Sequence, residues 1–343
     1  MKLKIHSTLA LIFLSISLSF GQDLTELFER VSPSVVQIIV KSEANTGQGD
    51  PYAKVTMGGM GSGVLMSADG DIVTAAHVVS SASEIEIIYK NGETTTAKIV
   101  QVSNIGDVAL LRANSVPKSA VVAKFGDSDK EKIGDKVFVI GFPMGLSYSL
   151  STGVISGKHK QDLKIGKGNR MEMFQTDASI NTGNSGGPMF NYKGEVIGIV
   201  SSILTKSGGF EGIGFAATSN LAIKLLYKGD KFWFGIDGTF LTGPLAEALN
   251  IPQDGGLLIT NVTPNSPAYF LGIRGGYIKV LIGEKQEAML GGDILLSIEG
   301  VPLDDIEHIS KAYGKLHSKK QFDTVKFKIL RAGHVKEFSW KVR

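Results

Sequence analysis

Along most of this 343-residue chain, apolar positions fall in short runs or alternate with polar ones, separated by glycine-containing turns. That is the period of strands. DLTELFERVS (23–32) is the first exception and predicts a short helix, leading into the strand SVVQIIV (34–40). A polar, glycine-containing stretch from Ser42 to about Met60 reads as a mobile loop. Strand patterns follow at 63–66, 72–75 and 84–89, and Asn91-Gly92 then supplies the strongest short hairpin signal. Further strands are predicted at 95–102, 108–112, 136–140, 150–156 and 171–175. MFNYKGEVIGIVSSIL reads as a hairpin turning at Lys193-Gly194.

SNLAIKLLYK (219–228) has a Ser cap and apolar residues at helical spacing, closing a first unit. Beyond it, 229–343 holds strand patterns at 256–262, 294–300 and 325–333. Between the last two, Ile306, Ile309, Tyr313 and Leu316 recur at helical intervals. Many short strands with frequent turns predict a mainly β fold, a sandwich or barrel pair followed by a small sheet with one good helix.

Composition sharpens this. The 42 glycines against 10 prolines fit a turn-rich β architecture, and 43% hydrophobic residues are enough for real cores. Lys2 and Lys4 precede an apolar run from Leu9 to Phe20 with small residues at Ser19 and Gly21, the layout of a cleaved export signal over 1–21. The run is shorter than the roughly 20 residues that span a bilayer, so no stable membrane span is expected. Removing 1–21 takes two lysines and no acid, leaving 34 basic residues against 33 acidic, a balance that argues against nucleic acid as partner. Cysteine is absent, which excludes disulfides, thiol nucleophiles and cysteine metal ligands.

The densest chemical signal is INTGNSGGP, Ile180 to Pro188. A phosphate loop is excluded, because Gly187 is followed by Pro188 and Met189 where a lysine and hydroxyl are needed. Gly183-Asn184-Ser185-Gly186-Gly187 matches G-x-S-x-G, but the nucleophile elbow needs a helix next and Asp and His downstream. Here Gly-Gly-Pro and a hairpin follow, and the later histidines, His308, His317 and His334, lie in the second unit. The remaining order puts histidine and aspartate before the serine. His159 sits in GKHKQDLK, a basic polar stretch that reads as an exposed loop. His77 sits in VTAAHVVS, at the end of an apolar strand, where a satisfied core histidine is the alternative. Asp107, in NIGDVALLR, precedes an apolar run, and burying its carboxylate costs several kcal/mol unless a partner such as an imidazole N–H compensates. A polar residue at a strand entry is the other reading of Asp107.

Taken together, TAAHVV, the Asp107 segment and GNSGGP resemble the chymotrypsin-like serine proteases, and specifically the HtrA/Deg family. IGFAATSN resembles that family's stretch after the active serine, with Thr218 where a proline is common. The resemblance covers nearly all of the chain after the leader. It implies a chymotrypsin-like double β-barrel over 22–228 and one PDZ-like domain over 229–343. By motif, Ser185 is the nucleophile, His77 the base and Asp107 the orienting carboxylate, with the N–H groups of Gly183 and Ser185 forming the oxyanion hole. Ser201, Ser202 and Ile203 resemble the edge on which a substrate strand pairs. Ile180, Thr182, Ile213 and Phe215 are expected to wall a pocket for small or medium aliphatic residues. Phe232-Trp233-Phe234-Gly235-Ile236 resembles a loop that captures peptide C-termini, with Phe234, Gly235 and Ile236 as its binding residues. RGGYIKVLIGEKQEAMLGGD (274–293) is longer than the family's turn and predicts an inserted hairpin that covers or reshapes that groove.

The function implied is a periplasmic, ATP-independent serine endopeptidase of protein quality control acting on unfolded proteins, without metal or cofactor. The family assembles as trimers, and 24–31 could serve that contact in a homotrimer or larger assembly. A chaperone-like peptide-binding scaffold and a signalling protease with one target are the competing functions.

Overall fold

A computed structural model describes residues 24–50, 52–145, 148–162, 170–205, 209–228, 233–282, 286–320 and 322–342. The expected export signal, 1–21, and Phe232 lie outside the described residues.

Twelve strands close into two six-stranded barrels. The first runs, in spatial order, Val35–Asn45, Lys54–Leu65, Asp71–Thr74, Val108–Ala113, Thr94–Ser103 and Ala82–Ile88. The second runs Pro188–Asn191, Val196–Ile203, Gly214–Thr218, Arg170–Thr176, Ser149–Asp162 and Lys136–Gly141. The chain is mainly β, in the chymotrypsin-like double-barrel arrangement. Inward residues fill each barrel: Val36, Ile38, Leu65, Ile72, Ile87 and Leu111 in the first, Val139, Phe174, Met189 and Ile197 in the second. A further apolar layer, including Val64, Val73, Leu110, Phe138 and Phe190, joins the two barrels. Each such side chain contributes about 1.5–3 kcal/mol when fully withdrawn from water, which fixes one barrel against the other and makes their seam a rigid place for chemistry.

The helix Leu24–Val31 lays Leu27 and Val31 into this layer, so its apolar face is covered within the chain. The closing helix Ser219–Ile223 does the same with Leu221 and Ala222 and widens into a π turn over Lys224–Lys228. Thr218 caps it, accepting from Leu221 N, whereas Ser219, the residue expected to cap, donates to Gly126 O at 2.6 Å.

Two loop expectations are corrected. Most of 42–60 is strand: Val35–Asn45 and Lys54–Leu65 stay paired from Val35↔Val64 out to Asn45↔Lys54. Its outer half is exposed, Val55 and Met57 included, so cross-strand hydrogen bonds rather than burial hold it. His159 lies in the strand Ser149–Asp162 and shares a hydrogen bond with Gln175 at 2.9 Å.

Beyond the barrels a third sheet runs Ile236–Thr242, Gly255–Val262, Ile294–Ile298, Thr324–Arg331 and His334–Lys341, with Val301–Pro302 paired to the side. The helix Ile306–His317, capped by Asp305, packs Ala312 and Leu316 into its core. The strands Ile278–Ile282 and Gln286–Leu290 form a separate hairpin. That hairpin leans on the first barrel: Lys279 N donates to Gly47 O at 3.0 Å, and Gly49 N to Tyr277 O at 3.3 Å.

Candidate active site

The strand Asp71–Thr74 turns through extended Ala75 into a single helical turn, Ala76–Val79, which carries His77. Asp107 ends the turn that begins at Asn104 and has a left-handed backbone, φ 49°. Such strain costs on the order of 1–3 kcal/mol and persists only where the surroundings over-determine it. The surroundings here are His77 and Ser201. Asp107 Oδ1 accepts from His77 N at 3.0 Å, and His77 Nδ1 lies 2.8 Å from Oδ2 and 3.0 Å from Oδ1. A carboxylate at Nδ1 makes that nitrogen the donor and leaves Nε2 as the acceptor, the tautomer a general base needs.

Ser201 supplies the third partner, its hydroxyl donating to Asp107 Oδ2 at 2.5 Å. The pairing of Val196–Ile203 with Gly214–Thr218 slips between Val200 and Ser202. Ser201 is therefore the extra residue of a bulge, and a bulge re-aims a side chain that regular pleating would have turned elsewhere. Burial pushes the Asp107 carboxyl up, but hydrogen bonds from His77 and Ser201, with the His77 charge, outweigh it and hold it below the ordinary 3.8.

Ser185 comes from the second barrel. The segment around it turns through Gly183 (φ 103°) and Gly186 (φ 82°) and is half-buried at Ser185 itself. Gly186 also permits a close approach: a β-carbon there would stand 2.1 Å from Thr74 Oγ1 and 2.3 Å from Ser62 O. A β-carbon on Gly61 would meet Val78 Cγ1 at 2.8 Å and Ser185 O at 3.0 Å, so the His77 turn and Ser185 converge on one point. The Ser185 hydroxyl donates to Ser201 O at 3.4 Å, and among the described residues it makes no hydrogen bond to His77. Catalytic hydrogen bonds in unliganded sites are often loose and tighten when substrate arrives. Among the described residues the N–H groups of Gly183 and Ser185 have no protein acceptor, while their neighbours Asn184 N and Gly186 N are bonded to Asn181 O and Val200 O.

The remaining predicted residues divide. Ile180 is 2% exposed, and a β-carbon on the facing Gly214 would lie 2.5 Å from its Cδ1. Ile203 packs on the same core, Ile213 and Phe215 are half-buried, and Thr182 and Ser202 are exposed. Ser201 is turned to Asp107 by its side chain and to Ser185 by its carbonyl. In the third sheet Phe234 is a core residue, stacked on Phe327 at 4.6 Å, and Gly235 O accepts from Thr263 N at 2.9 Å. Gly235, Ile236 and Leu316 line a cavity of about 210 Å³ together with Ser80 and Asn104 of the first barrel. Of the hairpin, residues 278–281, 289 and 290 take no part in that lining. Asp304, Asp305 and His308 bring metal-ligand atoms within 4.8 Å of one another, but Asp304 is bonded to His308 and Asp305 caps the helix.

Sequence reasoning missed Ser62 and Thr74 and gave Ser201 only a substrate-edge role. The bulge and the contacts across the barrel seam that define them leave no local pattern.

Residues 61–199 match the trypsin-like peptidase domain family. The chain is 32% identical over 331 residues to the periplasmic pH-dependent serine endoprotease DegQ of Escherichia coli (strain K12), covering 90% of this chain and 68% of that protein. It is 34% identical over 294 residues to a probable periplasmic serine endoprotease DegP-like of Marinomonas sp. (strain MWYL1), covering 75% of this chain and 61% of the relative. A second DegP-like relative, from Pseudomonas putida (strain GB-1), is 35% identical over 280 residues, and the chain spans 54% of its length. Among solved structures it resembles the HtrA-type protease AlgW with decapeptide, with TM-score 0.51 and 26% identity over 92% of this chain and 97% of that one. A double barrel, a His–Asp pair at its seam and this likeness along most of the chain agree: the protein belongs to the HtrA/Deg family of serine proteases.

Proposed function

We propose that this chain is a serine endopeptidase in which Ser185, His77 and Asp107 form the catalytic triad. The observation that carries it is the Asp107 carboxylate, which receives His77 through both its backbone and its ring, beside a glycine-bounded serine segment with two unengaged N–H groups. Ser185 Oγ attacks the substrate carbonyl and passes its proton to His77 Nε2, while Asp107 stabilises the imidazolium. The negative oxygen of the tetrahedral intermediate takes hydrogen bonds from Gly183 N and Ser185 N. Each such donor is worth on the order of 100–1000-fold in rate. His77 then gives its proton to the leaving amine, and water repeats the sequence on the acyl-enzyme.

Substrates are unfolded or flexible proteins paired along 201–203, with a preference for cleavage after small or medium aliphatic residues walled by Thr182, Ile213 and Phe215. The third sheet acts as a PDZ domain, with Gly235 and Ile236 receiving a peptide C-terminus beside the helix Ile306–His317. A decapeptide in the AlgW neighbour supports a peptide ligand for this architecture. Export to the periplasm is supported by the stated location of the relatives. Assembly into a homotrimer or larger belongs to the same reading, and the sedimentation of the mature protein tests it.

The decisive assay is hydrolysis of an unfolded protein by the mature enzyme and by Ser185→Ala. Cleavage by the first alone supports the reading, and equal cleavage by both ends it. No cleavage by either protein would favour a peptide-binding scaffold.

A further inference from the structure

The oxyanion segment is short, glycine-rich and outside the barrel strands, so something must hold it. The backbone from Gly183 to Ser185 carries the two N–H donors assigned above, and holding the carbonyl of a donor's own residue restricts how its N–H can turn. Both carbonyls are held by one residue of the other barrel. Ser62, in the strand Lys54–Leu65, donates its hydroxyl to Gly183 O at 2.7 Å and its backbone N–H to Ser185 O at 2.8 Å. The same hydroxyl accepts from Phe142 N at 3.1 Å. That incoming donor orients the hydroxyl: with its lone pair taken by Phe142, its proton goes to Gly183 O. Asn184 N is bonded to Asn181 O at 3.0 Å, so the peptide plane between Gly183 and Asn184 is pinned at both polar ends.

Ser62 is itself fixed. It is 0% exposed, and its carbonyl accepts from Thr74 Oγ1 at 2.7 Å. Thr74 is also 0% exposed and ends the strand that leads into the His77 turn. One buried chain of hydrogen bonds therefore runs from the strand before the base, through Ser62, to both carbonyls of the nucleophile segment. Water cannot replace any of it, because none of these side chains reaches solvent.

We infer that Ser62 is the positioning residue of the oxyanion hole: its hydroxyl and N–H clamp the carbonyls of Gly183 and Ser185 and so aim the two N–H groups at the reacting oxygen, with Thr74 locking the clamp to the His77 strand. This rests on the triad and oxyanion assignment proposed above. Ser62 touches no substrate and moves no proton. Its loss relaxes the aim of a donor rather than deleting it, so the effect is smaller than losing a donor outright, about 10–100-fold in kcat.

The test compares the wild-type, Ser62→Ala, Thr74→Val and Thr74→Ser enzymes on one short peptide ester, with Ser185→Ala as reference. Ser62→Ala is expected to lower kcat about 10–100-fold with KM changed less than about twofold, and to weaken a tetrahedral peptide boronate by the same factor. Thr74→Val is expected to show the same split more weakly, and Thr74→Ser, which keeps the hydroxyl, to restore kcat. A role in stability alone would lower the folded fraction, read by circular dichroism, and leave kcat per folded enzyme and boronate affinity unchanged; that result overturns the inference. If Ser62→Ala does not fold, the Thr74 pair decides: loss in Val with recovery in Ser supports the clamp, and full kcat in Thr74→Val overturns it. Activity equal in wild type and Ser185→Ala would instead overturn the triad reading itself.

Discussion

Replacing Ser201 by alanine removes one of three hydrogen bonds into the Asp107 carboxylate and leaves both His77 bonds and the Ser201 carbonyl in place. A hydrogen bond to a charged group is worth about 1.5–3 kcal/mol net. Ser201 is 6% exposed, so little water replaces its hydroxyl, but the Asp107 side chain is 24% exposed and recovers part of the loss from solvent. The lower end, about 1.5 kcal/mol, is the expected destabilisation at neutral pH. The sign with pH follows from linkage. Asp107 is held below 3.8 in the fold, so it contributes stability that is present above that value and lost as pH falls through the folded pKa. Without the Ser201 bond the carboxyl is less depressed, and the loss begins at higher pH. Urea unfolding of both proteins at pH 7 and across the acid range checks this. The stability difference should shrink toward zero once Asp107 is protonated in both. At pH 7 kcat/KM should fall about 3–10-fold, because a carboxylate with two partners instead of three holds the imidazole less firmly. A stability difference that is the same at all pH values, with unchanged kcat/KM, would refute the account of Asp107.

Three further outcomes are expected. Gly186→Ala should cost more than about 3 kcal/mol, or prevent folding, since the added carbon combines a positive φ with a 2.1 Å approach to Thr74 Oγ1; a mutant with wild-type melting would contradict the packing at the seam. Asp107→Asn should lower kcat by about 10³–10⁴-fold on a peptide substrate, because an amide no longer enforces the base's tautomer, while circular dichroism stays native. Asp293→Ala should destabilise by about 3 kcal/mol in thermal unfolding: Asp293 is 1% exposed, takes both Arg331 Nε and a terminal nitrogen at 2.6 Å, and accepts from Arg274 N, so its loss strands a partly buried guanidinium.

Much of the fold and the chemical residues were legible because they rest on local pattern. Strand alternation at 84–89, the apolar run at 108–112 and the hairpin signal at Asn91-Gly92 are written in neighbouring residues, as are the contexts of His77, Asp107 and Ser185. What was not legible depends on distant partners. The outer half of the hairpin from 42 to 60 leaves its apolar residues Val55, Met57 and Met60 exposed among glycines and polar residues, and only its partner strand makes it a strand. His159 reads as loop because Gly157, Lys158, Lys160 and Gln161 around it are small or polar, and the pairing His159↔Met173 supplies the order. Thr218 rather than Ser219 caps the closing helix because Ser219 is taken by Gly126 O, a contact 93 residues away. Ser201 turns to Asp107 through a register slip, and Ser62 acts across 121 residues of sequence, so neither role has a local signature.

The central claim is that Ser185 is a nucleophile activated by His77 and Asp107. Labelling the mature enzyme with a fluorophosphonate and mapping the adduct by mass spectrometry tests it most directly. The account predicts a single adduct on Ser185 that is lost in His77→Ala and strongly slowed in Asp107→Asn. Labelling of another residue, or labelling of Ser185 at an undiminished rate without His77, would contradict it.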